Sequence, residues 1–193
     1  MSGREHQALH LLHNYWERRA AVYDSPLPDV LGRNIIAAYL RKLKPCSLVE
    51  VGCGNGQLFS AYKDVPHVVA CDWSENMLKK AEARRTRHNY SNIRLKQLDI
   101  TKQTLQEKFD VALTRTVLMH IPPDEVEMAC RNLTAMSDTI MLMEFFDRNT
   151  PRLEWHCFHH EYATMMDNLG YVISEIFDRP DGIKQLLMIF KKA

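Results

Sequence analysis

Apolar residues recur at two spacings along this chain, and the change from one to the other marks out its elements. Ala8, Leu12, Tyr15 and Trp16 stand at helical spacing between residues 5 and 20. Ser25-Pro26-Leu27-Pro28 breaks that run. A second helix is predicted from about Asp29 to Leu43, with Leu31, Ile35, Ala38 and Tyr39 on one face. From Ser47 the period shortens. S-L-V-E-V over 47–51, H-V-V-A-C over 67–71, residues 93–98 and residues 109–114 are short β-rich runs, and residues 138–146 make a fifth. The I-M-L-M stretch inside the fifth has no polar alternation, as a strand buried on both faces requires. Helical patterns over 74–87, 123–136 and 159–169 separate and follow these runs. In the second of them Val126, Ala129, Cys130 and Leu133 keep the i, i+3, i+4, i+7 rule. Pro123, Asp124 and Glu125 suit a helix start, where a missing N–H is harmless and acids meet the positive dipole end. Gly170 suits the close of the third.

Strands alternating with helices imply crossover connections and a mainly parallel sheet covered on both sides. The last two strand-like runs, 171–177 and 183–190, are joined only by D-R-P-D-G. Five residues with a P-D-G turn link antiparallel neighbours but are too few for a parallel crossover. The expected architecture is therefore α/β, with a mainly parallel sheet and an antiparallel C-terminal hairpin. No linker or repeat divides residues 1–193, so one domain is expected.

Composition narrows the partners. The 193 residues are 46% apolar and 25% charged, in the range of ordinary globular proteins. With 25 basic against 24 acidic residues, the formal charge of +1 argues against a global field for nucleic acid or anionic membrane. No apolar stretch is long enough to span a bilayer, and M-S-G-R-E-H-Q lacks the apolar core of a signal peptide, so a cytoplasmic protein is expected. The cysteines at 46, 53, 71, 130 and 157 form no C-x-x-C pair. They are read as reduced thiols in or near the core, with neither a disulfide framework nor a structural metal site.

Three of only seven glycines fall at 52, 54 and 56, after the first strand and ahead of a predicted helix. Glycines there allow a tight turn and let a ligand approach the backbone. The second strand ends 22 residues after Glu50, at Asp72. A carboxylate so placed reaches the vicinal hydroxyls of a ribose, and Trp73 beside it is suited to lie against an adenine ring. A dinucleotide site prefers G-x-G-x-x-G, but Gln57 stands where its third glycine belongs.

The run E-x-G-x-G-x-G, then A-C-D-W-S on the second strand, Q-L-D-I after the third and the terminal hairpin together resemble the class I S-adenosylmethionine-dependent methyltransferases of small-molecule type. The resemblance runs from about Leu48 to the C-terminus. It implies a Rossmann-like, doubly wound sheet of seven strands over residues 45–193, S-adenosylmethionine as methyl donor and S-adenosylhomocysteine as product. It implies further that Glu50 orients the glycine loop or approaches the methionine amino group, while Gly52, Cys53, Gly54 and Gly56 line the methionyl part. Asp72 would hold the ribose, and Trp73 and Met77 would flank the adenine, with Asp99 and Ile100 near its amino group. Asp99 has a second reading as a cap before Thr101, and Met77 as the first core residue of its helix. Arg115 and Thr116 would face the methionine end. The segment Y-W-E-R-R-A-A-V-Y-D resembles the leading helix that closes over the cofactor, making residues 1–44 a helical lid that brings Tyr15, Arg19 and Tyr23 to the site.

Methyl transfer from a sulfonium is an in-line displacement whose rate can come largely from positioning, about 7–11 kcal/mol in well-oriented cases. His120, in V-L-M-H-I-P, is a candidate base or a packing residue. Glu144, His156 and His159 are expected on the acceptor side, the two histidines as further candidate catalytic residues, with His160 starting a helix. Three histidines in five residues do not by themselves make a metal set, and none is assigned. The N-P-P-Y run of base-modifying enzymes and the paired-glutamate loop of arginine methyltransferases are missing, which leaves a small molecule or carrier-bound metabolite methylated on oxygen or nitrogen. The alternatives are a non-catalytic S-adenosylmethionine-binding subunit and an NAD-dependent oxidoreductase. Oligomeric state is not legible.

Overall fold

The computed structural model describes residues 12, 14–21, 29–145, 156–183 and 185–193. Tyr23 and the Ser25–Pro28 break lie outside them. Residues 14–21 are helical and are called α1. The remaining helices are α2 (Val30–Leu43), α3 (Glu75–Arg87), α4 (Val126–Met136) and α5 (Tyr162–Asp167). The strands are β1 (Ser47–Val51), β2 (His67–Asp72), β3 (Ile93–Gln97), β4 (Val111–Arg115), β5 (Thr139–Phe145), β6 (Tyr171–Asp178) and β7 (Gln185–Lys192).

One seven-stranded sheet has the order β3-β2-β1-β4-β5-β7-β6. Its first five strands are parallel, and β7 joins β5 and β6 antiparallel. Residues of alternating parity supply two separate cores, which is why the central strands are apolar without a break. Val49, Ala112, Ile140 and Leu142 face α4 and α5, meeting Val126, Ala129, Cys130, Leu133, Tyr162 and Met166. Leu48, Leu113, Met141 and Met143 face the other way, onto Ile36 and Leu40 of α2, Ala81 of α3, and Phe59 and Tyr62.

Local chemistry sets the helix ends. Asp29 caps α2 by accepting from the Gly32 N–H at 2.9 Å. Ser74 caps α3 through Met77 N–H at 3.1 Å, with Glu75 in the first turn.

Three elements depart from the sequence pattern. The glycine turn leads to a short 3-10 helix, Phe59–Ala61, and not to an α-helix. Glycines 52, 54 and 56 all take positive φ, and Pro66 closes the segment just before β2, so little room remains for regular helix. Helix α4 starts at Val126, because Glu125 and Val126 both donate to the Pro122 carbonyl and make residues 123–125 a turn. Helix α5 starts at Tyr162 and not at His159. Residues 156–160 are tied across to the β4–α4 connection, Phe158 N–H to Met119 O at 2.7 Å and the His160 ring to Ile121 O at 3.0 Å. Among the described residues no helix is long and apolar enough to cross a membrane.

Candidate functional site

The sheet order reverses between β1 and β4, and ligands in open α/β sheets bind at the carboxyl ends of strands at such a point. A cavity of about 230 Å³ lies there. Its wall includes Gly52 and Gly54 after β1, Asp72, Trp73 and Met77 at β2 and α3, Asp99 and Ile100 after β3, and Arg115, Thr116 and His120 after β4. Trp16 of α1 contributes from above.

Backbone donors build the floor. Gly52 and Cys53 N–H both donate to the Cys71 carbonyl at 2.8 Å. Gly54 N–H donates to Asp72 Oδ2 at 2.8 Å, and Ser74 N–H to Asp72 Oδ1 at 2.9 Å. Asp72 thus clips the glycine turn to the start of α3 while forming part of the cavity wall. Burial pushes its carboxyl up to about 6, against the lowering effect of those two bonds. At Gly52 a Cβ would meet Val117; at Gly54, with φ +53, it would meet nothing within 4 Å. The second glycine therefore borders open cavity.

Glu50 is buried behind the turn, where it accepts from the Tyr62 hydroxyl. Burial raises its carboxyl to about 7, while Tyr62 and Arg115 act to lower it. Cys53 is buried beneath, its thiol pushed up by desolvation, and Gly56 packs against the Phe59 ring. These three support the turn from below.

The β4 side rests on a second buried carboxylate. Glu144 accepts from the Thr114 hydroxyl at 2.9 Å, from Val117 N–H at 3.1 Å, and from Leu118 and Met119 N–H at 3.2 and 3.4 Å. It caps the 3-10 turn Leu118–His120 from inside the protein and is fully buried, so it does not present itself to an acceptor. Its carboxyl is raised to about 7 by burial. Thr116, just before that turn, holds φ +52, an outlier for a β-branched residue that costs about 1–3 kcal/mol. The strain is held in place by Thr116 N–H to Met143 O at 2.9 Å and by the bonds to Glu144.

Arg115 gives one nitrogen to Asp29 at 2.7 Å, and among the described residues its buried Nε has no hydrogen-bond partner. Asp29 also receives both terminal nitrogens of Arg179, whose side chain is 1% exposed. Burial works to raise the Asp29 carboxyl, but Arg179, the Gly32 N–H and Arg115 outweigh it and hold it at about 2. Asp99 fulfils two tasks. Its carboxylate lines the cavity, and it accepts from Thr101 N–H at 3.1 Å and hydroxyl at 2.7 Å.

Of the lid residues, Tyr15 packs against His156 with ring centroids 4.5 Å apart and planes tilted by 34°, and Arg19 is exposed; neither is part of the cavity wall. Glu17 accepts from Glu75 N–H at 3.0 Å and from the Asn76 amide at 2.6 Å, tying α1 to the first turn of α3. His156 is buried behind His120, and His159 is exposed. Trp16 of the leading helix and Leu98 beside Asp99 line the cavity, as do Val51, Val117 and Ile121, which the sequence pattern left without a role because they read as ordinary core. On α3, Lys79 pairs with Glu75, Arg85 with Glu82, and Arg84 donates to the Asn55 carbonyl at 3.0 Å.

Residues 48–137 match the family model described as "Methyltransferase domain". A putative methyltransferase of Invertebrate iridescent virus 6 is 23% identical over 153 residues, 72% of this chain and 56% of that protein. Malonyl-[acyl-carrier protein] O-methyltransferase of Bacillus anthracis is 27% identical over 108 residues, 53% of this chain and 38% of its own length. The chain thus matches about half of these curated relatives, or less. A solved structure of 1,6-didemethyltoxoflavin-N1-methyltransferase from Burkholderia thailandensis, with 1,6-didemethyltoxoflavin and S-adenosylhomocysteine bound, superposes with a TM-score of 0.78. The two share 17% identity, over 97% of this chain and 90% of that one.

Proposed function

We propose that this chain, whose residues 48–137 match a methyltransferase-domain family model, is a class I S-adenosylmethionine-dependent methyltransferase that transfers a methyl group from S-adenosylmethionine to a small-molecule acceptor. The observation that carries this is Asp72, whose carboxylate spans Gly54 and Ser74 N–H at the cavity floor and keeps acceptor capacity for a vicinal diol.

The surrounding residues fit such a ligand. Arg115 Nε is a buried donor without an acceptor among the described residues, which a methionine carboxylate would supply. Trp73, Met77 and Ile100 give apolar walls for a purine, and Asp99 gives an acceptor at that end. Glycine at 54 leaves the backbone open to close approach. When bound, the sulfonium supplies an activated methyl. The protein's own residues then hold donor and acceptor in line, with Trp16 over the cavity to limit water. The acceptor takes the methyl on oxygen or nitrogen and is a small metabolite or a carrier-bound one, as in the two named relatives of known substrate. His120, on the cavity wall, and His156 behind it stand where a proton acceptor is useful.

Titration calorimetry with S-adenosylmethionine, S-adenosylhomocysteine and NAD tests the donor, with affinity in the micromolar class, roughly −8 kcal/mol, expected for the sulfur ligands. Asp72→Ala should weaken that binding at least tenfold, since charge-assisted hydrogen bonds are worth about 1.5–3 kcal/mol. Binding of NAD alone would end the reading. A screen of acceptors with isotopically labelled methyl donor separates an enzyme from a non-catalytic binding subunit.

A further inference from the structure

Behind the cavity wall, Nδ1 of His120, Nδ1 of His156 and Sγ of Cys157 converge within 4.8 Å of one another. The two nitrogens are 3.1 Å apart, and the sulfur is 3.4 Å from one and 3.7 Å from the other. We propose that these three side chains form a binding site for a divalent cation of zinc type, with one coordination position left for a fourth donor.

The distances carry the proposal. Tetrahedral zinc, with bonds of about 2.05 Å to nitrogen and about 2.3 Å to sulfur, sets two nitrogens about 3.3 Å apart and nitrogen and sulfur about 3.6 Å apart. All three observed separations fall within about 0.3 Å of those values. The donor types agree, because imidazole and thiolate select borderline-soft ions over magnesium or calcium.

The ligands are also held before any ion arrives. Phe158 N–H to Met119 O at 2.7 Å and the His160 ring to Ile121 O at 3.0 Å fasten the 156–160 segment along the turn that carries His120. His156 and Cys157 are buried, and His120 shares the cavity wall. The Trp16 ring lies 4.9 Å from His120, which places the site beneath α1 at the edge of the cavity. Ion binding requires the Cys157 thiol to release its proton to solvent, leaving a thiolate–metal bond. It also requires the His120 ring to give up its Nδ1 bond to the His156 carbonyl, 3.0 Å away, by moving that proton to Nε2, so that the metal-bound protein has no free base at His120. Sequence spacing hides this set, since one ligand stands 36 and 37 residues before the other two.

The test uses the purified full chain, stripped with chelator and titrated with zinc and then cobalt in the absence of methyl donor. Its outcome is therefore independent of whether the cavity binds S-adenosylmethionine. One ion per chain is expected, together with cobalt–thiolate charge-transfer absorption and the strong visible bands of four-coordinate cobalt. Cys157→Ser should abolish the charge-transfer band. His120→Ala and His156→Ala should each weaken uptake beyond the roughly 10–100-fold that loss of an outer-shell partner causes. Cys46→Ser, at an exposed thiol elsewhere, should change nothing. Failure of the wild-type chain to take up one ion, or a cobalt spectrum with no thiolate band, overturns the proposal without any variant. A thiolate band that survives in folded Cys157→Ser overturns it too.

Discussion

A Cβ on Gly52 would lie 2.2 Å from Cγ2 of Val117. The turn after β1 and the turn after β4 therefore touch where only hydrogen fits, and Gly52 holds φ +76 besides. Gly52→Ala should destabilise the fold by about 1–3 kcal/mol and weaken S-adenosylhomocysteine binding more than tenfold. Adding Val117→Ala removes the nearest methyls, leaves the Val117 Cβ at 3.2 Å, and should restore part of the loss. Thermal melts and calorimetry on the single and double variants read both effects; normal binding by Gly52→Ala would mean the ligand lies elsewhere.

Asp72 gives ligand binding a pH dependence. Its carboxyl is held at about 6 by burial, so acidification through that value converts the acceptor to a neutral acid. Affinity for S-adenosylhomocysteine should fall as pH drops from 7.5 to 5.5. Asp72→Asn should bind weakly with a flatter profile, because one of its two terminal atoms is then a donor facing Gly54 or Ser74 N–H. Equal slopes in the two proteins would assign the titration to another group.

Stability of the ligand-free protein should change with pH in the opposite sense. Glu50 and Glu144 both sit at about 7 in the fold, above the ordinary glutamate value of 4.5. Each raised carboxyl contributes stability that is complete below about 4.5 and is lost as pH rises through about 7. Melting temperature should therefore decline between pH 5.5 and 8. Glu50→Gln keeps an acceptor for Tyr62 and should lessen the decline. Parallel melting curves for wild type and variant across that range would show Glu50 ionised throughout.

Glu144→Ala is expected to be severe. It leaves the Val117, Leu118 and Met119 N–H groups and the Thr114 hydroxyl without their buried acceptor, at about 1–3 kcal/mol for each group left unsatisfied. Urea unfolding measures the loss, and Glu144→Gln should recover part of it. A drop of under about 1 kcal/mol would mean that water reaches these donors.

Much of this was legible in the chain. The unbroken apolar run of β5 and the five-residue P-D-G link gave the parallel sheet with its antiparallel edge, because burial on both faces and turn length are local properties. Gly52, Gly54 and Asp72 stood out by spacing and lie together at one cavity. What stayed hidden depends on contacts between distant segments. Glu144 reads as a polar residue near an active face and turns out to be an internal cap, since its partners are backbone groups some 26 residues earlier. The strap at 156–160 shortened α5 through bonds to Met119 and Ile121 that no helical periodicity records.

Trp16 and Glu17 are neighbours in one turn of α1, and one closes the cavity while the other grips α3. In the proposed function these events are mechanically one. A product leaving past Trp16 would have to displace α1, and with it the Glu17 bonds to Glu75 N–H and Asn76, at the same segment that Ser74 ties to Asp72. Turnover would then be timed by escape from the site, with residence times set at Glu17, far from any reacting atom. Glu17→Ala should lengthen no step and shorten that one, raising the dissociation rate of S-adenosylhomocysteine while its association rate changes little.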